Sequence, residues 1–200
     1  MSLRFILFVL SASGLAACVL RPTGYSAPYA TPQPFAVVVP QNAPSISQQY
    51  RNAAQSDRHL GSDFIARIGT PVLAAASGEV TRSFFDPAYG HTVEMSHGQS
   101  DAGQPIVTRY THLKSRSVAA LATVQRGQQI GTLGRSGILA GGIAHLHFEV
   151  WIGSGRDLTN ARDPNLYWVD GSGIVTCYDP ARTVPGRPFS ITHPVVCQGR

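Results

Sequence analysis

The sequence predicts a mainly β protein, an antiparallel β-sandwich or open barrel with little helix. Short runs of aromatic and β-branched residues are separated by glycine and proline along the middle of the 200-residue chain, a spacing typical of strands and turns. Val93 and Met95 alternate with polar neighbours, as expected for a half-buried strand. With 43% hydrophobic and 14% charged residues, the chain has enough apolar material for a buried core.

The strands can be assigned in chain order from these runs. An apolar run at 71–76, a turn at 77–78 and a second run at 79–85 together predict a hairpin. Further strands are predicted at 92–96, 106–113 and 129–133. Only residues 115–123 have a helix-like composition, so little helix is expected.

The N-terminus has the features of an export signal. Arg4 supplies a positive start, and the apolar stretch 5–10 is too short to span a bilayer. Residues 15–18, Leu-Ala-Ala-Cys, resemble the lipobox of bacterial lipoproteins. We therefore expect a signal peptide at 1–17, acylation of Cys18, and a protein of the cell envelope that is lipid-anchored to the outer membrane and faces the periplasm. The alternative is an ordinary secretory signal with an incidental cysteine.

Residues 18–45 are rich in proline and poor in charge. Six prolines occur among Ala, Ser, Thr and Gln, and no charged residue lies between Arg21 and Arg51. This composition predicts an extended, semi-rigid tether of roughly 3 Å per residue between the lipidated cysteine and a domain at 46–168. The alternative is that part of the segment, such as 35–39, packs on the domain as a strand.

The charge of the chain suits an anionic polymer such as cell wall. The formal net charge is +5, but the basic residues are scattered and form no run interleaved with aromatic residues. Binding to nucleic acid is therefore not expected.

Two cysteines remain after Cys18, and both lie in a C-terminal extension at 169–200. Because an exported protein meets an oxidising compartment, Cys177 and Cys197 are predicted to form a disulfide that clamps this extension. The alternative is two free, buried thiols.

Residues 145–152 alternate as a strand does, with apolar side chains on one face. The opposite face carries His145, His147, Glu149 and Trp151. Two imidazoles two residues apart are candidates for metal ligands or proton carriers. The alternative is a pair of surface histidines on an edge strand.

Two other segments carry histidines in suggestive positions. His59 and Asp63 are four residues apart and share a face, and Gly61 between them favours an extended segment over a helix. His112 lies on the strand predicted at 106–113, where alternation places it on the same face as Tyr110. His91, His97 and His193 are interpreted as structural or solvated.

Together the segments provide the composition of a catalytic zinc site. Such sites have three protein ligands and one exchangeable position. His59, Asp63 and His147 can serve as the ligands, and His112 and His145 are then left to move protons. The spacing alone does not choose between His145 and His147.

The ordered set His-x-Gly-x-Asp at 59–63, Tyr-x-His-Leu at 110–113 and His-Leu-His-Phe-Glu at 145–149 resembles the lysostaphin-type, LytM-like zinc metallopeptidases of peptidoglycan. The resemblance extends over about residues 57–168. It implies the lysostaphin-like peptidase fold for 46–168.

The resemblance also implies a function and the role of each site residue. His59, Asp63 and His147 would bind one Zn²⁺ per chain, and His112 and His145 would be catalytic. The implied activity is that of an endopeptidase that hydrolyses peptide cross-links, with peptidoglycan as the partner. The alternative is a non-catalytic, peptidoglycan-binding activator of cell-wall amidases. Relatives with that role have lost zinc ligands, whereas this chain keeps all five polar residues.

Overall fold

A computed structural model describes residues 23–155 and 157–199, and almost all of its strands lie in the first range. The predicted signal peptide at 1–17 and Cys18 lie outside the described residues. No helix in the described ranges has the length and apolar character needed to cross a membrane. The strands are β1 Ser45–Gln48, β2 Ser62–Ile65, β3 Pro71–Leu73, β4 Gly78–Asp86, β5 Gly90–Gln99, β6 Pro105–Leu113, β7 Ser115–Arg116, β8 Thr123–Val124, β9 Gln129–Thr132, β10 Leu146–Ile152 and β11 Ala161–Arg162. Short 3₁₀ turns occur at Ile138–Ala140, Leu158–Asn160 and Pro164–Leu166. The predicted mainly β class is confirmed.

The strands form two antiparallel sheets. The larger sheet has the order β1-β2-β10-β6-β5-β4-β8, with β11 pairing to β10, and the smaller has the order β3-β9-β7. Strand β10 therefore lies between β2 and β6. His147 is paired with Asp63 on one side and with Thr111 on the other. This register brings the three histidine-bearing segments together.

The core lies between the two sheets. Tyr110 and Phe148 from the larger sheet belong to the same buried cluster as Val72 and Ile130 from the smaller one. The backbone N–H of Ala75 donates to the Tyr110 hydroxyl at 2.9 Å, so the one polar atom of this ring is satisfied inside the core.

The predicted hairpin at 71–85 does not form. Strand β3 pairs with β9, and β4 pairs with β5. The chain crosses from the smaller to the larger sheet at 74–77, where Ala74 exchanges backbone hydrogen bonds with Gln128 and Gly127. The pattern of two apolar runs separated by a turn predicts both strands correctly. It does not determine which other strand each of them pairs with.

The helix-like stretch at 115–123 is also not helical. Ser115–Arg116 pairs with β9 and Thr123–Val124 pairs with β4. Backbone groups that a helix would use internally are committed to these neighbours, because tertiary pairing overrides a weak local propensity.

The predicted tether at 18–45 is corrected for its described part, because residues 23–45 lie against the domain. The N–H of Ala27 donates to the carbonyl of Ile46 at 2.8 Å, and Val38 exchanges backbone hydrogen bonds with Gly173 and Val175. Val37 and Val39 pack on the core. The proline content predicts an extended backbone, but burial of the Val37 and Val39 side chains holds this backbone against the domain.

The C-terminal segment is joined by the predicted disulfide and also contributes to the core. Cys177 and Cys197 are bonded, with their Cα atoms 6.1 Å apart. Ile191 and Val195 are fully buried in the same cluster as the strands. Residues 169–199 are therefore a packed part of the fold.

His193 in this segment makes stability depend on pH. Its side chain is fully buried, contacts the Phe64 and Trp168 rings, and has a pKa that burial lowers from 6.5 to about 4. The unfolded chain therefore binds more protons between these two values. The stability that neutral His193 contributes is complete above pH 6.5 and is lost as the pH falls towards 4, by at most about 3 kcal/mol.

Denaturant unfolding at pH 7 and pH 4.5 tests this prediction. A His193→Phe variant keeps the aromatic packing and cannot titrate, so its stability should fall less between the two pH values than that of the wild type. An equal fall in the two proteins would contradict the assignment.

Candidate metal centre

Three side chains converge at one end of the larger sheet with geometry suited to a metal ion. His59 Nε2 lies 3.1 Å from Asp63 Oδ1 and 3.0 Å from His147 Nδ1. His147 Nδ1 lies 2.9 Å from Asp63 Oδ1. The three atoms thus form a compact triangle of two nitrogens and one oxygen, and all three side chains are at least half-buried.

The local sequence explains how these residues meet. Asp63 and His147 are paired across β2 and β10, so their side chains share a face. His59 is held by a bridge to Arg51 just before β2. Gly61 allows the intervening chain to approach β10 closely, because a Cβ at this position would lie 2.1 Å from the Phe148 carbonyl oxygen.

The protein orients both imidazoles of the triangle through their other ring nitrogens. His59 Nδ1 donates to the Gln49 carbonyl at 2.8 Å. His147 Nε2 donates to Glu149 Oε1 at 2.9 Å. Because a carbonyl and a carboxylate can only accept, these contacts keep a proton on the outer nitrogen and turn the inner lone pair towards the centre.

His112 and His145 line the same site from the opposite side. Their ring centroids are 4.8 Å apart, and His145 Nε2 is 3.8 Å from Asp63 Oδ1. Each ring donates its Nδ1–H to a backbone carbonyl, of Ser136 at 2.9 Å and of Ile143 at 3.0 Å. These hydrogen bonds therefore direct the Nε2 atom of each ring towards the triangle formed by His59, Asp63 and His147.

The orientation of His112 could not be found from strand alternation. Alternation places it with Tyr110, which faces the core, whereas in the structure it faces the site. His112 has a φ of 60°, in the left-handed region, and this reverses the direction of its side chain. Such a backbone in a non-glycine residue is unfavourable by on the order of 1–3 kcal/mol and is typical of functional sites. Its backbone N–H donates to Tyr89 at 2.9 Å.

Burial and charge set the proton affinities of the cluster. Burial would raise the pKa of Asp63, but hydrogen bonds with His147 and His59 outweigh it and lower that pKa. Burial would lower the pKa of His147, and contacts with Asp63 and Glu149 instead raise it to about 10. The triangle therefore attracts positive charge, either as a proton or as a metal cation.

The pKa of His112 is shifted in the opposite direction from that of His147. Burial, with the nearby His145 and His147 rings adding to it, lowers the pKa of His112 to about 4. Its imidazole is consequently neutral at pH 7 and can accept a proton.

A groove of about 450 Å³ opens over the cluster. One wall is the glycine-rich loop at 137–143, where Leu139 and Ile143 are exposed beside the site. Gly141 and Gly142 have φ values of 59° and 76°, which few other residues adopt. The loop thus presents apolar side chains and closely approachable backbone to whatever enters the groove.

The groove and cluster coincide with the part of the chain that matches known proteins. Residues 57–161 match the model of Peptidase family M23. Peptidoglycan DD-endopeptidase ShyC of Vibrio cholerae is 38% identical over 95 residues, which cover 48% of this chain and 20% of that protein. Peptidoglycan DD-endopeptidase ShyA of the same species is 38% identical over 108 residues, covering 54% of this chain and 23% of the relative. The match thus spans about a fifth of the length of these relatives.

A solved structure shows a similar arrangement of strands. The antimicrobial peptidase lysostaphin from Staphylococcus simulans has a TM-score of 0.51 and 28% identity, covering 62% of this chain and 48% of the other. All the residues of the cluster lie within the range matched by the family.

Proposed function

The chain belongs to peptidase family M23, and we propose that it is a zinc-dependent endopeptidase that hydrolyses peptide cross-links of bacterial peptidoglycan. The observation that carries the proposal is the convergence of His59, Asp63 and His147 on one point, with two further imidazoles beside it. The names of the relatives, as DD-endopeptidases of peptidoglycan, support the substrate class.

The donor set fits a single zinc ion. Two imidazole nitrogens and one carboxylate oxygen are ligands that Zn²⁺ accepts, and three protein ligands leave a position for substrate or water. Zinc held by His59, Asp63 and His147 would act as a Lewis acid towards the scissile carbonyl and lower the pKa of the attacking water.

The two remaining histidines are proposed to handle protons and charge. His112 is neutral at pH 7 because burial lowers its pKa to about 4, so its Nε2 can accept a proton from the attacking water. A second imidazole 4.8 Å away, that of His145, can in its protonated form donate a hydrogen bond to the developing oxyanion or a proton to the leaving amine. The Ser136 and Ile143 carbonyls keep both rings aimed at the same small volume.

Mass spectrometry of defined, cross-linked muropeptides tests the function. Zinc-loaded protein should convert cross-linked dimers to monomers, and protein treated with a chelator should not. The alternative is a non-catalytic activator of amidases, which would leave the dimers intact, bind peptidoglycan, and increase the activity of an added amidase. That result would overturn the proposed peptidase activity.

We also propose that the protein is lipid-anchored through Cys18 in the cell envelope, at the outer membrane. The support is the Leu15-Ala16-Ala17-Cys18 sequence after a short apolar stretch. Cys18→Ser should abolish the acyl mass and move the protein from the membrane to the soluble fraction. A Cys177→Ser/Cys197→Ser variant removes the other two cysteines and should stay acylated. Acyl mass that persists in Cys18→Ser would refute the anchor.

A further inference from the structure

A row of four charged residues crosses the larger sheet and ends at the metal triangle. Arg82, Glu94, Arg109 and Glu149 are paired in register across β4, β5, β6 and β10, so all four share the face that carries His147. Their charges alternate, and neighbouring side chains lie within ion-pair distance. The contacts are Arg82–Glu94 at 3.4 Å, Glu94–Arg109 at 3.4 Å and Arg109–Glu149 at 3.6 Å.

The row becomes more buried towards the metal triangle. The Arg82 side chain is 46% exposed, that of Arg109 10%, and that of Glu149 only 1%. The Arg109 guanidinium also lies over the Tyr89 ring, 4.2 Å from its centroid. Burying a carboxylate as deeply as Glu149 is unfavourable unless its oxygens are paired. The groups that pair with the Glu149 carboxylate therefore indicate what this residue does.

Every contact of the Glu149 carboxylate is with a donor. Oε1 accepts from His147 Nε2 at 2.9 Å, and Oε2 accepts from the Trp151 indole N–H at 2.7 Å. The Arg109 guanidinium adds an ion pair on the Oε2 side, with Nη1 3.6 Å from Oε2. An amide at this position would place its NH₂ group against one of these donors, so the surroundings specifically fit a carboxylate.

We propose that Glu149 is a positioning residue for the zinc site, an inference that rests on the proposed function. By accepting the Nε2 proton of His147, it keeps the lone pair on Nδ1, the atom that lies 2.9 Å from Asp63 Oδ1 and 3.0 Å from His59 Nε2. On its other side the carboxylate forms an ion pair with Arg109, which also forms an ion pair with Glu94. Glu149 does not touch the metal position and acts through His147.

The competing explanation is that Glu149 only neutralises the buried Arg109. The two explanations differ in what they predict for metal binding. A charge-neutralising residue affects the stability of the fold, whereas a positioning residue also affects the zinc affinity of protein that is fully folded. Carboxylate partners of metal-binding histidines typically change the affinity by about 10–100-fold.

The test measures zinc affinity of the full chain by competition with a chromogenic chelator, with no substrate present. Glu149→Met should weaken zinc binding by about 10–100-fold, and Glu149→Gln by less, because its amide oxygen can still accept from His147. Glu79→Gln makes the same chemical change at an exposed position on β4 and should bind zinc as the wild type does. In proton NMR spectra of the zinc-loaded proteins, the His147 Nε2–H should exchange slowly with solvent in the wild type, where Glu149 accepts it, and faster in Glu149→Met.

A second variant deals with loss of folding. If Glu149→Met leaves Arg109 unpaired and unfolds the protein, the double variant Arg109→Met/Glu149→Met removes both buried charges, and such pairs can often be replaced by apolar residues of similar volume. The double variant should fold and still bind zinc about 10–100-fold more weakly. Wild-type affinity in any folded variant that lacks a carboxylate or amide at 149 would overturn the inference while leaving the proposed function intact. Failure of the wild type to bind zinc would overturn both.

Discussion

Replacing His112 by Ala is expected to slow the hydrolysis of cross-linked muropeptides by about 10²–10⁴-fold while close to one zinc ion per chain stays bound. The size of the effect is that of a positioned general acid or base. Zinc should remain because the His112 Nδ1–H is held by the Ser136 carbonyl and the ring contributes no atom to the His59–Asp63–His147 triangle. Hydrolysis rate and zinc content measured on the same sample check the prediction.

His145→Ala should behave in the same way, because its ring is also outside the triangle and is held by Ile143. His91→Ala is the matched control, since this ring packs on Phe85 outside the cluster, and both its rate and its zinc content should stay near those of the wild type. If His112→Ala loses zinc as completely as His147→Ala does, the division between ligands and proton carriers is wrong.

Replacing Asp63 by Ala is expected to abolish both zinc binding and hydrolysis. Asp63 supplies the one carboxylate of the triangle, and its Oδ1 atom is the contact that His59 and His147 share. Two neutral imidazoles without a carboxylate are a much poorer site for a divalent cation. The rate should fall at least as far as in His112→Ala.

Metal removal provides the comparison for this variant. Chelator-treated wild type should regain activity when zinc is added back, whereas Asp63→Ala should not. Asp101→Ala removes an exposed carboxylate in the turn between β5 and β6 and should retain zinc and activity. Asp63→Ala that binds one zinc per chain at wild-type affinity would contradict the proposed ligand set.

Much of the fold follows from local sequence pattern. Strand β10 is the clearest case, because Leu146, Phe148 and Val150 alternate with polar residues and all three are fully buried. Alternation has a period of two residues that depends only on the extended backbone, so it can be recognised without knowledge of any partner strand. The residue types of the site are likewise visible in the sequence, since imidazoles and a carboxylate are the groups that bind zinc and move protons.

Pairing between strands was not determined by the same patterns. Residues 71–85 contain two strands and a turn, yet β3 and β4 belong to different sheets. Val37 and Val39 pack on the core although the surrounding proline-rich segment predicts a tether. In both places the outcome depends on the burial available from segments far away in the chain, which no local window of sequence contains.

The sequence by itself thus determined the mainly β class, the inward faces of the strands, and the five residues whose chemistry points to a metallopeptidase. Only the tertiary structure decided how those residues face one another. The left-handed backbone of His112 turns its ring from the core side to the site. The pairing of β10 with β2 and β6 places His147 beside Asp63 and Glu149 beside Arg109. These relations depend on strand register and on a single backbone dihedral angle, both of which are selected by the packing of the whole domain rather than by neighbouring residues.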